Sequence, residues 1–350
     1  MAAITLKCPN CGGGLVFNPD TQKYKCEYCM SDFGLEELEE KEPPAPAAAP
    51  EKAAREREEG DMVGYTCPSC GAEIVTDATT AASFCYYCHN PVVMEGRLEG
   101  SYHPDYVIPF AIDREKAKEI FSQWIRRKRF VPGAFYSNKQ IESMTGVYFP
   151  YWLYSCQIDG RLDAEGTKLR IWESGNLRYT EHKTYHISRG GRMEVQHVSR
   201  NALKKANGKL ADGVLPFQPE GLKPFQIGYL TGFMAEKRDL EQEALAAALE
   251  AEVKNFAESS LKNSAGGYTS LKVRQQSADL KNVTWHYSLF PVWTMTYRGP
   301  RDGKIYYFAL NGQTGKICGE LPVDSGKLAV FFLLVFLPLL LLLLAGGYFL

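Results

Sequence analysis

Eight of the chain's ten cysteines fall into four Cys-x-x-Cys pairs, and no other feature limits the fold so sharply. Cys8, Cys11, Cys26 and Cys29 each recur 59 positions later (8 to 67, 11 to 70, 26 to 85, 29 to 88) as Cys67, Cys70, Cys85 and Cys88. Each set opens as C-P-x-C-G and closes as C-x-Y-C, with Pro9 and Gly12 in the first and Pro68 and Gly71 in the second. Such a knuckle lets two thiolates reach one ion from a tight turn, and the glycine allows the positive φ that the turn often needs. The fourteen residues between knuckles (Gly12 to Lys25) suffice for a short hairpin that returns the second pair to the metal. The pattern predicts two four-cysteine zinc ribbons with rubredoxin-like knuckles on β-hairpins. Four thiolates fill a tetrahedral Zn²⁺ and leave no open position, so both ions are expected to be structural. A redox Cys-x-x-Cys would instead open a helix of a thioredoxin-like βαβ unit, a context neither set has.

The chain begins MAAITLKCPNC, without an apolar run before the first cysteines, so the thiols are expected in a reducing, cytosolic compartment. The formal net charge is −1 and the pI about 6.6, so nothing draws the whole chain to nucleic acid. Residues 1–35 set Lys7, Lys23 and Lys25 against Asp20, Glu27 and Asp32. Residues 64–100 set Arg97 alone against Glu73, Asp77, Glu95 and Glu99. An ion held by four thiolates adds about −2 more at each site. A phosphate-binding face must be basic, so the ribbons are expected to bind protein and not nucleic acid.

The second strong constraint lies at Leu328–Leu350, a run of 23 residues (350 − 328 + 1) without a charge. As a helix at about 1.5 Å per residue it reaches roughly 34 Å, enough for a bilayer core. Pro338 is expected to kink it, and a hairpin turning there would be too short to cross twice. Lys316 and Lys327 precede it, which predicts a single-pass tail anchor with the N-terminus and body in the cytoplasm.

Between these constraints the chain divides into ribbon 1 (1–35), an acidic Pro/Ala linker expected to be disordered (36–63), ribbon 2 (64–100), an α+β body (101–325) and a transmembrane anchor (328–350). Within the body, Asp113 to Phe130 carries Ala117, Ile120, Phe121, Trp124 and Ile125 at helical spacing, with Asp113 as N-cap and Arg126–Arg129 at the cationic end. A second helix is expected from about Arg238 to Leu261. Stretches such as VYFPYWLYSCQI and VTWHYSLFPVWTMTY read as strands. Tyr106…Phe110 before the first helix resembles Tyr229…Phe233 before the second. Each helix is later followed by Phe-Pro-x-Trp, at Phe149–Trp152 and Phe290–Trp293. These echoes fit a body of two related halves, with independent convergence on aromatic strands as the alternative. His182 and His186 share a strand face, but Glu181 points the other way, so they form no ligand set. No P-loop is present, because Leu310 stands where its first glycine belongs, and no nucleophile or paired-carboxylate motif is found. No catalytic residue is expected.

Five phrases carry a wider likeness: YKCEYC, PDYVIPFAIDREKAKEIF, GVYFPYWLYSC, YLTGFMAEKRDLEQEA and ALNGQTGKICGELPV. Together they resemble the bacterial TFIIB-type zinc-ribbon membrane proteins, a family often labelled primosomal or helicase-like. The missing P-loop argues against that label here. The resemblance implies eight zinc ligands, Cys8, Cys11, Cys26, Cys29, Cys67, Cys70, Cys85 and Cys88. It also implies partners like the PspA/ESCRT-III-like membrane-remodelling proteins or flotillin-type and virion-core-like proteins. The expected function is a non-enzymatic membrane-anchored adaptor acting in membrane stress or remodelling, in which the linker lets the first ribbon sweep for partners. A membrane-associated nucleic-acid binder using the ribbons is the alternative.

Overall fold

A computed structural model describes residues 3–4, 6–34, 37–38, 63–67, 73–76, 80–85, 91–94, 98, 102–204, 208–299 and 303–348. The expected linker falls outside these residues apart from 37–38 and Val63, and so do Cys70 and Cys88. The chain is mixed α+β and forms two compact units. One takes Met1–Pro150, Leu203–Arg238 and Ser288–Leu350; the other takes Tyr151–Ala202 and Asp239–Tyr287.

Sixteen strands and three long helices are described. They run as β1 (Ala3–Ile4), β2 (Leu15–Asn18), β3 (Lys23–Cys26), β4 (Asp32–Phe33), β5 (Val63–Thr66), β6 (Glu73–Thr76), β7 (Thr80–Phe84), β8 (Pro91–Met94) and β9 (Tyr106–Val107). Helix α1 (Arg114–Arg126), β10 (Thr145–Ser174), β11 (Leu177–Asn201), β12 (Lys223–Pro224) and β13 (Met234–Glu236) follow. Last come α2 (Gln242–Ser264), β14 (Ser270–Arg298), β15 (Ile305–Asn311), β16 (Ile317–Gly319) and α3 (Ser325–Tyr348).

In the first unit α1 starts where the sequence predicts. Asp113 is extended, and its carboxylate accepts the Lys116 N–H at 2.6 Å. Ala117, Phe121 and Ile125 form the buried stripe, and Phe121 meets Phe308 of β15 edge-on at 4.7 Å. Lys118 shares that face and is matched by Glu115 and Glu142, each at 2.8 Å. The helix ends at Arg126, four residues short of the expected Phe130. Tight closing bonds from Arg127 and Lys128 to Trp124 and Ile125 end it, and Pro132 bars continuation. The cysteine-bearing regions are stitched to this unit's sheet: β1 pairs with β8, β8 with β7, and β7 with β13 through Ala82↔Ala235. The first hairpin is also docked, since the Phe17 N–H donates to Thr231 O at 3.0 Å and Gln22 Nε2 to Phe110 O at 2.8 Å. A ribbon free to sweep is therefore not what the chain forms.

In the second unit β10 and β11 make a long antiparallel hairpin, Tyr151↔Asn201 through Ser174↔Leu177, closed at Gly175 with φ 60°. The expected second helix is α2. It lays Leu249, Val253 and Ala257 on Tyr154, Cys156 and Ile158, and Leu261 and Ala265 on Leu162, Ala164 and Ile187. Toward the Gly175 turn the hairpin is exposed, with Trp172 and Tyr179 stacked at 5.5 Å.

One arrangement is made twice. In the first unit Gly312 O accepts the Ala111 and Ile112 N–H groups at 3.0 and 2.9 Å, and Ile112 O accepts Trp293 Nε1 at 2.9 Å. In the second, Ala202 O accepts the Asp239 and Leu240 N–H groups at 3.1 and 3.0 Å, and Leu240 O accepts Trp152 Nε1 at 2.9 Å. Each helix begins two residues later. The parallel pairings follow the same match: β9 with β14 (Tyr106↔Ser288, Val107↔Leu289) and β13 with β10 (Met234↔Val147, Ala235↔Tyr148). The offset is 128 before the helices (106 to 234, 112 to 240) and 141 in the strands (147 to 288, 152 to 293). The aromatic echo of Tyr106…Phe110 with Tyr229…Phe233 has an offset of 123 and is thus five residues out of step. Phe110 and Phe233 are instead partners, stacked at 4.1 Å.

Candidate metal centre

The first cysteine set is built on two matching knuckles. In one, the Cys8 N–H donates to Gly13 O (2.6 Å) and the Gly12 N–H to Cys8 O (2.8 Å). In the other, the Cys26 N–H donates to Ser31 O (2.9 Å) and the Met30 N–H to Cys26 O (3.0 Å). The fifth residue of each lies at positive φ: Gly12 at 75°, as the sequence implies, and Met30 at 59°. A methionine there accepts strain that glycine would not. The β2–β3 register, Leu15↔Cys26 to Asn18↔Lys23, brings the knuckles together, and Asn18 Oδ1 closes the turn by accepting the Asp20 N–H at 2.9 Å.

The result is a group of four sulfurs within 4.8 Å of one another, from Cys8, Cys11, Cys26 and Cys29. Two edges, Cys8–Cys29 and Cys11–Cys26, are 3.5 Å. A tetrahedral zinc with bonds of about 2.3 Å needs edges of about 3.8 Å, so small adjustments would admit the ion. Cys8 and Cys26 are buried while Cys11 and Cys29 are exposed, so the centre lies at the surface of its module. Asn10 Nδ2 donates to Ser31 Oγ at 3.2 Å and braces one knuckle against the other, a contact that reading ligand spacing alone misses.

Acid–base behaviour favours a cation here. The Ser31 hydroxyl and backbone N–H hold the Cys29 thiol down to about 6. At Cys11 the Gly13 N–H also lowers the value. It is outweighed by Cys26, by burial and by Cys29 and Cys8, and the thiol is pushed up to about 12. A divalent ion would supply positive charge that favours the thiolate form.

Of the second set, Cys67 and Cys85 are buried with Tyr65, Val92 and Met94. They lie just after β5 and β7, while Cys70 and Cys88 are outside the described residues. Among the described residues, the structure thus brings the four ligands of the first set together.

The chain is 31% identical over 329 residues to the Bacillus subtilis (strain 168) protein described as "Uncharacterized protein YdjG", covering 94% of this chain and 93% of that one. It belongs to the YdjG family. The likeness to YdjG extends over nearly all of both chains. No protein-family model matches the chain, and no solved structure matches it.

The last element is α3, whose segment Ser325–Leu344 is apolar from Leu328 onward and exposed. It is long and apolar enough to cross a membrane. Pro338 lies inside it without ending it.

Proposed function

We propose that the chain is a non-enzymatic, membrane-anchored zinc-ribbon adaptor that recruits protein partners to the cytoplasmic face of a membrane. The observation that carries this is a closed four-sulfur cluster in the same compact unit as an uncovered apolar helix. Four thiolates around one ion leave no position for substrate, so the metal's contribution is to fold the module. Two Zn²⁺ are assigned, one on Cys8, Cys11, Cys26 and Cys29, the other on Cys67, Cys70, Cys85 and Cys88. The docking of the first module through Phe17 and Gln22 makes it a fixed surface of the body. The contacts made twice support a body grown from two copies of one strand–helix–hairpin piece.

The resemblance to the TFIIB-type zinc-ribbon membrane proteins supplies the class of partner, a membrane-remodelling or membrane-scaffold protein. The near-neutral to acidic charge of both modules disfavours nucleic acid. The test is purification from native membranes in mild detergent without nuclease, comparing the wild type with Cys26→Ser plus Cys85→Ser. The expected outcome is that both chains stay in the membrane and only the wild type retains its protein partner. Equal retention by the variant would sink the adaptor function; nucleic acid released by salt would replace it.

A further inference from the structure

A run of four cations at a helix end, such as Arg126-Arg127-Lys128-Arg129, ordinarily needs no ligand, since it complements the helix dipole. Its surroundings in this chain change that. Immediately after the run the backbone is fastened to the start of α3. The Asp324 N–H donates to Phe130 O at 2.7 Å, Lys327 Nζ donates to Val131 O at 2.8 Å, and the Phe130 ring meets Phe331 edge-on at 5.2 Å. Phe331 belongs to the apolar stretch of α3, so the basic run sits at the root of the helix. All four side chains are exposed, and among the described residues none enters an ion pair. Lys128 lies over the Trp124 ring at 5.3 Å. Asp324, whose backbone is fastened to Phe130, is committed to the first turn of α3, its Oδ1 accepting the Gly326 and Lys327 N–H groups at 3.0 and 3.2 Å.

We infer that Arg126, Arg127, Lys128 and Arg129, with Lys327, form a binding surface for the anionic headgroups of the bilayer that α3 enters. The inference rests on α3 spanning a membrane. Cations held beside the foot of a span lie at headgroup depth, where an indole such as that of Trp124 is also favoured. Each cation brought to an anionic surface strengthens association about five-fold, and salt weakens the effect within a Debye length of about 8 Å. Counting cations along the sequence just before the span finds Lys316 and Lys327 alone, because the run lies some 200 residues upstream of Phe331 (331 − 130 = 201).

The test uses the full chain in vesicles of phosphatidylcholine mixed with phosphatidylglycerol. Spin-labelled forms of each lipid report their relative association with the protein. Alkaline washing comes first. If it strips the wild type from vesicles, the span itself fails and the inference falls with it. For the retained protein, a preference for phosphatidylglycerol is expected, reduced about five-fold or more in R126Q/R127Q/K128Q/R129Q and suppressed by high salt. The charge-preserving R126K/R127K/R129K should keep it. An equal preference in the glutamine variant, its absence in the wild type, or its loss in the lysine variant would overturn the proposal.

Discussion

Two regions of this molecule carry the same local design and put it to different ends. In the first unit, α1 is set by Trp293 and the Gly312 carbonyl; in the second, α2 is set by Trp152 and the Ala202 carbonyl. The first version keeps a short second strand, β15, and carries the cysteine modules and the apolar helix. The second lengthens its hairpin to Ser174↔Leu177 and exposes an aromatic tip. The strand–helix junction is therefore the common part, and what is attached to it is free to change. A carbonyl that accepts two N–H groups and an indole that donates to the next carbonyl satisfy the backbone just before a helix, where partners are otherwise lacking.

The largest contrast between the units should appear on metal removal. Structural zinc contributes about 10–16 kcal/mol to small modules, so chelation should abolish amide protection in β2 and β3. The β10–β11 hairpin should stay protected. Hydrogen exchange with metal analysis checks this, and unchanged protection in metal-free β2–β3 would remove the structural role of the ion. A smaller effect tests the likeness itself. Trp293→Phe and Trp152→Phe each leave a carbonyl without its indole donor, at about 1–3 kcal/mol each. Denaturation in detergent should give similar losses for the two, and a loss confined to one variant would break the correspondence. The smallest effect sharpens a difference. Asp113 bonds the Lys116 N–H, whereas Glu241 makes no side-chain cap bond. Asp113→Ala should cost about 1 kcal/mol, measured by the same unfolding experiment.

Much of this was legible because it depends on residue type and spacing. The cysteine pairs, Gly12, the N-cap at Asp113 and the apolar run of α3 each carry a local signal. The correspondence of the halves was only partly visible. Phe-Pro-x-Trp marks the strands at the right offset, but the segments before the helices are matched by backbone hydrogen bonds. There Ala111 answers to Asp239 and Ile112 to Leu240, and side-chain identity gives little guide. Met30 at positive φ was hidden, since methionine announces no such turn. The docking of Phe17 on Thr231 and the fastening of Phe130 beside Phe331 join residues far apart in sequence, and no pattern within a short window reports them.

The pairing of β9 with β14, and of Trp293 with the Ile112 carbonyl across 181 residues, bears on how the chain is made. A ribosome that has released α1 has not yet produced the strand and indole that complete its surroundings. Until Gly312 emerges, the N–H groups of Ala111 and Ile112 lack their acceptor, and apolar surface such as Phe110 and Phe121 lacks its cover. Contacts of such long range slow folding and prolong exposure to aggregation. A chain interrupted before that point is left with the apolar surface and unpaired backbone groups that chaperones and proteases recognise.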